Sequence, residues 1–207
     1  MQDNRIVHIV DDDEAVRQSL AFLLSSAGLA IRVYDSAAAF LAGLSGVKDG
    51  CLITDIRMPN MTGIELLHEL KAKACGLPAI VITGHGDIAL AVEAMKAGAI
   101  DFIEKPFDEK AILHAVQGAL ERGVEEDGDM LAIAGKLATL SERERQVLEG
   151  LVAGHPNKTI AYDLGISPRT VEVYRANLMT KMEARSLSEL IRMAIVAKIP
   201  PTRRTAK

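Results

Sequence analysis

Residues 6–28 read IVHIVDDDEAVRQSLAFLLSSAG, and two hydrophobic periods meet inside them. Ile6–Val10 is a short apolar, β-branched run, which predicts a strand buried on both faces. Val16, Leu20, Leu23, Leu24 and Ala27 then recur at helical spacing. Gly28 follows them as the residue that ends the helix. Asp11, Asp12 and Asp13 occupy the turn between the two elements.

The same alternation continues to residue 122. Further strand runs are predicted at Ala30–Tyr34, Cys51–Asp55, Ala79–Thr83 and Ile100–Glu104. Helices fall between them. Ser36 is a candidate cap for one, Asp87 for the helix Ile88–Ala97, and Asp108 for the last, which runs to about Arg122. Gly98 ends the helix before the fifth strand. Strands alternating with helices predict a doubly wound α/β domain with a five-stranded parallel sheet. Ligands of such sheets bind beyond the carboxyl ends of the strands.

The chemistry-bearing residues fall there. Asp11, Asp12 and Asp13 follow the first strand, and Asp55 ends the third. Thr83 ends the fourth, and Lys105 and Pro106 follow the fifth. Taken singly, Asp11 and Asp13 read as helix caps or solvated acids, Thr83 as a strand residue and Lys-Pro as a loop. Their conjunction at four strand ends predicts one crevice. Clustered carboxylates need a counter-cation, and an all-oxygen site favours Mg²⁺. Carboxylates, Mg²⁺, a hydroxyl and an ammonium together suit phosphoryl transfer, with an Asp oxygen as the nucleophile.

The rest of the chain has a different character. Residues 123–138 carry three glycines and four acids, which suggests a linker or a partial continuation of the preceding helix. Beyond them the pattern is all helical. Ser141 and Glu144 form a capping box for a helix to about Ala153. Asn157 is the expected cap of a short helix to Leu164, and Gly165 breaks it. Ser167 and Pro168 start the next helix, and another starts near Ser188 and stops before Pro200. The halves differ in sign: residues 1–122 carry −6, residues 123–135 carry −4 and residues 136–207 carry +6. A basic half is a cue for nucleic acid.

Two helices joined across Gly165 form a helix-turn-helix pattern, whose second helix enters the major groove. Val171, Tyr174, Leu178 and Met182 make its apolar stripe. Arg169, Thr170, Glu172, Val173, Arg175, Ala176 and Asn177 are left toward DNA or its rim, with Lys158 on the preceding helix. Arg and Lys neutralise phosphates, and Glu can accept from cytosine.

Composition excludes other classes. No apolar run approaches the ~18 residues of a membrane span. The N-terminus turns acidic where a signal peptide is apolar, so the expected location is the cytoplasm. Cys51 and Cys75 lack metal spacing and read as free thiols. A small-molecule phosphatase with an aspartate nucleophile would carry DxDxT, and Asp55-Ile56-Arg57 lacks the second acid. A constitutive DNA binder with a degenerate first half would lack part of the acid–Lys set, which is intact here.

The segments VDDD, TDIRMPNMTG, ITGHG and DFIEKPF resemble the receiver domain of two-component response regulators. The stretch from LSERERQVL through SPRTVEVYRANLMTKM resembles the LuxR-type effector domain, with Tyr174 where a His is common. Together they resemble response regulators of the FixJ type. The resemblance implies a receiver over 1–122, a linker over 123–137 and a DNA-binding domain over 138–207. It implies that Asp55 accepts phosphate from a sensor histidine kinase, with no turnover of an external substrate. It implies Mg²⁺ on Asp12, Asp55 and the backbone carbonyl of Arg57, with Asp11 acting mainly through water. Thr83 and Lys105 would hold the phosphoryl group. Phe102 stands at the aromatic switch position, and Lys105–Pro106 is expected to be cis. The implied partners are double-stranded promoter DNA, RNA polymerase and a second copy of the chain on phosphorylation. Dimer contacts are expected from Ile88, Val92, Met95 and Lys96 with the fifth strand, and from Leu187–Ala197. The genes expected to be activated serve nitrogen fixation or life at low oxygen.

Overall fold

The computed structural model describes residues 6–47, 49–84, 88–121 and 129–201, with no side-chain statement for 129–131. By contacts the chain divides into two units. The first takes residues 1–86 and 97–124, and the second takes 87–96 and 125–207.

The first unit is built on five strands: β1 (Ile6–Val10), β2 (Ala30–Tyr34), β3 (Gly50–Asp55), β4 (Ala79–Thr83) and β5 (Asp101–Glu104). They form one parallel sheet in the order β2-β1-β3-β4-β5. The helices are α1 (Glu14–Ser26), α2 (Ala37–Ala42), α3 (Gly63–Ala72), α4 (Ile88–Ala97) and α5 (Glu109–Glu121), of which α4 groups with the second unit. The doubly wound parallel fold is therefore the one expected. β5 begins one residue later than the apolar run, although the Ile100 amide still donates to the Ala79 carbonyl, 2.8 Å away. The cap at Asp87 lies outside the described residues.

Strand alternation sorts the core. Val7, Ile9, Cys51, Ile53, Ile80 and Ile82 point to one face and pack with Leu20 and Leu24 of α1 and Ile112 and Val116 of α5. The neighbouring positions point to the other face. There His8 is 1% exposed, stacks on Tyr34 and meets the edge of Phe40. Its Nδ1 lies 3.1 Å from the Tyr34 hydroxyl, and its Nε2 has no hydrogen-bond partner.

Local capping follows the sequence in most places. Asp13 accepts from the amides of Ala15 and Val16 and caps α1. Ser36 caps α2 through the Ala39 amide. Thr62 and Glu65 form a capping box at α3 that the sequence reading did not include.

The second unit holds α6 (Asp129–Ala138), α7 (Glu142–Val152), α8 (Asn157–Leu164), α9 (Pro168–Met182) and α10 (Leu187–Val196). Much of the stretch read as a linker is thus the helix α6. Ile133 and Leu137, four residues apart, are buried in the helical core with Val147, Leu148, Leu151, Leu178 and Met182. Burying that pair on one helical face draws the segment out of the solvent-exposed state its acids suggested.

Burial, then the charge of Arg32, lowers the His8 pKa from its ordinary 6.5. The folded state therefore prefers neutral His8. That stability is present above the unfolded pKa and is lost as pH falls through the lower folded one. Thermal melts of the wild type and His8→Gln should converge in pH dependence above pH 7. Below the ordinary histidine range the wild type should lose Tm more steeply. Parallel curves down to pH 5 would contradict the neutral-histidine assignment.

Candidate functional site

β1 and β3 are neighbours in register, with Val10 opposite Thr54. The residues that follow, Asp11 and Asp55, therefore emerge side by side at the carboxyl edge. Both are nearly buried, at 2% and 7% exposure. From the far side of β4, the residue after β5 reaches over them. The Lys105 Nζ donates to Asp11 Oδ2 at 2.9 Å and to Asp55 Oδ1 at 2.7 Å. The Lys105–Pro106 bond is cis, as the resemblance implied. The Lys105 amide donates to the Thr83 carbonyl at 2.6 Å, which pins the loop to the end of β4.

Backbone donors hold the acids in place. Asp55 Oδ2 accepts from the Arg57 amide at 2.5 Å. Asp11 Oδ1 accepts from the Asp13 amide at 2.9 Å, and Arg17 Nη1 donates to the Asp11 carbonyl at 2.6 Å. Arg17 was not singled out from the sequence; nothing in the helical periodicity marks a side chain that folds back on the preceding turn. Gly63 admits α3 to this edge. A Cβ there would lie 2.2 Å from the Asp55 carbonyl oxygen, so only glycine fits without a shift.

The electrostatics follow from burial and pairing. Burial raises the Asp11 pKa against the opposing pull of Lys105 and the Asp13 amide. Burial works to lower Lys105, but its hydrogen bonds to Asp55 and Asp11 outweigh it and raise the net value. Lys105 is therefore held as a cation facing two carboxylates. Thr83 is buried at 1% exposure at the end of β4. Phe102 is half-buried on β5, opposite Val81.

Asp12 is exposed, and its side chain does not join this pair in a preformed cage. Among the described residues no group of three or more His, Cys, Asp or Glu side chains is arranged to hold a metal. The donors present are hard oxygens. Two of them already converge within 2.9 Å of one cationic nitrogen, so the crevice suits a hard divalent cation.

The second candidate surface lies on α8 and α9. Gly165 ends α8 in the left-handed region, with φ of 66°, and turns the chain into Ser167. Ser167 caps α9 through the Thr170 amide, and Pro168 occupies its first turn. Val171, Leu178 and Met182 are fully buried and Tyr174 packs partly against them, the stripe expected. Lys158, Arg169, Glu172, Val173, Ala176 and Asn177 are exposed, while Thr170 and Arg175 are half-buried. Asn157 is not the cap of α8; Pro156 holds that position without a side-chain bond. Asn157 instead accepts from Arg175 Nη1 at 3.0 Å and ties the two helices together. Burial lowers the Arg175 pKa. On α4, Val92 and Met95 are buried at 3% and 5%.

The comparisons agree with this geometry. The family described as response regulator receiver domain matches residues 7–117. The luxR family of bacterial regulatory proteins matches residues 138–194. The chain belongs to the two-component response regulators that join a receiver to a LuxR-type helix-turn-helix domain. Within them it is of the FixJ type. It is 59% identical over 204 residues to the transcriptional regulatory protein FixJ of Azorhizobium caulinodans, covering 97% of each chain. It is 56% identical to FixJ of Rhizobium meliloti, covering 95% of this chain and 98% of the relative. Full-length FixJ from B. japonicum matches with a TM-score of 0.56 at 50% identity, covering 94% of this chain and 97% of that structure. No described helix is long and apolar enough to cross a membrane.

Gly63→Ala should displace Asp55. The expected cost is about 1–3 kcal/mol, the usual range for overpacking a filled site. Denaturant midpoints should fall accordingly, and acetyl phosphate labelling should slow. A variant as stable and as readily labelled as the wild type would show that α3 can retreat without moving the acid.

Proposed function

We propose that this chain is a phosphorylation-activated transcription regulator whose receiver takes a phosphoryl group onto Asp55 from a sensor histidine kinase. The observation that carries this reading is the Lys105 ammonium bridging Asp11 and Asp55 at the carboxyl edge of the sheet. The assigned regions are a receiver over 1–122, a connecting segment over 123–137 whose helix α6 packs into the helical core, and a DNA-binding domain over 138–207. The luxR-family match beginning at residue 138 supports the last boundary.

An Asp55 carboxylate oxygen attacks the phosphorus of a phosphohistidine. The P–N bond breaks, and the imidazole leaves with the bonding electron pair and takes up a proton. The product is an acyl phosphate on Asp55, with no turnover of an external substrate. Lys105 moves from the carboxylate to a phosphoryl oxygen, and the Thr83 hydroxyl donates to another. Asp12, Asp55 and the Arg57 carbonyl would hold Mg²⁺, with Asp11 acting through water. When bound, the ion neutralises phosphoryl oxygens that the acids would otherwise repel.

The output follows from the same edge. Thr83 turning toward the phosphoryl group frees space for Phe102 to move inward. The modified receiver pairs with a second copy, and α10 adds contacts between effector domains. Linkage lets two effector domains occupy two half-sites of double-stranded promoter DNA. Helix α9 enters the major groove. Arg169, Thr170, Glu172, Val173, Ala176 and Asn177 face bases or the groove rim, with Lys158 and Arg175 near the backbone. Recruitment of RNA polymerase then activates transcription in the cytoplasm. The relatives named FixJ support nitrogen-fixation or low-oxygen genes as the targets.

Incubation with acetyl phosphate and Mg²⁺ should add one phosphoryl mass to the full chain. Asp55→Asn should abolish the adduct, because an amide oxygen is a poor nucleophile, and chelation should suppress it in the wild type. An adduct of equal yield on Asp55→Asn would sink the assignment. Sedimentation of the full chain with and without a stable phosphoryl mimic should show a shift to dimer at tens of micromolar, equivalent to ~−6 to −7 kcal/mol. A chain that stays monomeric would rule out phosphorylation-driven pairing.

A further inference from the structure

A second polar junction is built into the helical unit, away from the acid crevice. Glu144 is a carboxylate with only 4% exposure. Its Oε2 accepts from the Ser141 amide at 2.7 Å and the Ser141 hydroxyl at 2.8 Å. Those bonds complete the capping box of α7. A third donor comes from 37 residues away: Lys181 Nζ, at 2.7 Å. Lys181 also donates to the Thr139 carbonyl at 3.2 Å. The lysine belongs to the last turn of α9, between the buried Leu178 and Met182. Its hydrogen bond is the leading cause that holds the Glu144 carboxyl below the usual range.

Apolar packing is non-directional, so the Val171–Leu178–Met182 stripe sets which face of α9 is buried more firmly than it sets tilt. A charge-assisted hydrogen bond to a buried carboxylate has a defined length and direction. Breaking it leaves a poorly solvated charge, which is costly. The junction therefore anchors one end of α9 to the start of α7. The base-facing residues sit toward the other end. Glu172 lies nine residues from Lys181, about 13 Å along the axis, so a tilt of ~10° moves it by roughly 2 Å. Hydrogen bonds to base edges do not survive such a shift, whereas contacts to phosphates tolerate it.

We propose that Glu144 and Lys181 are positioning residues that set sequence discrimination on DNA without touching a base. This rests on the reading of α9 as the groove-entering helix. Two substitutions of opposite charge effect separate positioning from simple attraction. Glu144→Gln removes a negative charge and Lys181→Met a positive one. An electrostatic role moves affinity for any duplex in opposite directions. A positioning role lowers discrimination in both.

The test uses the full chain with acetyl phosphate and Mg²⁺. The probes are the duplex that the wild type enriches from a random pool and a scrambled duplex, titrated by anisotropy at several salt concentrations. Both variants should lose about tenfold in the ratio of the two affinities, the scale of one mismatched base pair. Affinity for the scrambled duplex should keep its salt slope. Lys181→Arg should restore most of the ratio. Melting curves report folding; should Lys181→Met unfold, Lys181→Gln takes its place, and Glu144→Gln reads the charge assistance, since its neutral amide oxygen can still accept from Ser141 and Lys181. Glu172→Ala serves as the control for α9. An altered base preference there, with unchanged ratios in the two junction variants, overturns the positioning role. No change in any of the three overturns the reading of α9, and the proposal falls with it.

Discussion

The receiver half is organised around one ammonium group held between two carboxylates. Two unit charges 4 Å apart interact by about 4 kcal/mol at the effective dielectric of a protein surface. That is a large fraction of the ~5–15 kcal/mol by which domains are stable. Asp11 and Asp55 therefore tolerate their proximity because Lys105 lies within 2.9 Å of both. The lysine can do so because β5 is the second neighbour of β3 in the sheet and its exit loop folds back. The same arrangement presents an incoming anion with a cation already in place.

The rest of that unit serves this edge. Buried apolar residues on both faces of β1, β3 and β4 hold three chain ends within reach of one another. Asp13 caps α1 and its amide supports Asp11, so the acidic turn is braced from both its side chain and its backbone. Gly63 brings α3 against the Asp55 backbone. Each contact limits how far the Asp55 carboxylate can wander.

The helical unit solves a different problem with a similar device. Its helices are short, and their burial relies on Leu, Ile, Val and Met rather than on large aromatics. Two long-range polar links add direction to that packing. Arg175 to Asn157 fixes α9 on α8, and Lys181 to Glu144 fixes α9 on α7. One sits mid-helix and the other in the last turn of α9, and both leave Glu172, Val173, Ala176 and Asn177 open.

The sequence by itself determined the elements of both units and which side chains gather at the sheet edge. Strand positions were legible because strands covered on both faces are continuous apolar runs, and helix ends because Asp13, Ser36, Ser141 and Ser167 cap locally. The acid, hydroxyl and lysine set was legible because the parallel topology puts strand ends together. What only the tertiary structure decided were contacts that no local rule encodes. Asn157 resembles a cap, but the neighbouring Pro156 takes that place and frees the amide for Arg175. Residues 129–138 look solvated until Ile133 and Leu137 find a core supplied by distant helices. Lys105 and Asp11 are 94 residues apart, and Lys181 and Glu144 are 37 apart. Their meeting depends on how sheet and helices pack, because a charge-assisted bond is set by distance in space and carries no signature in spacing along the chain.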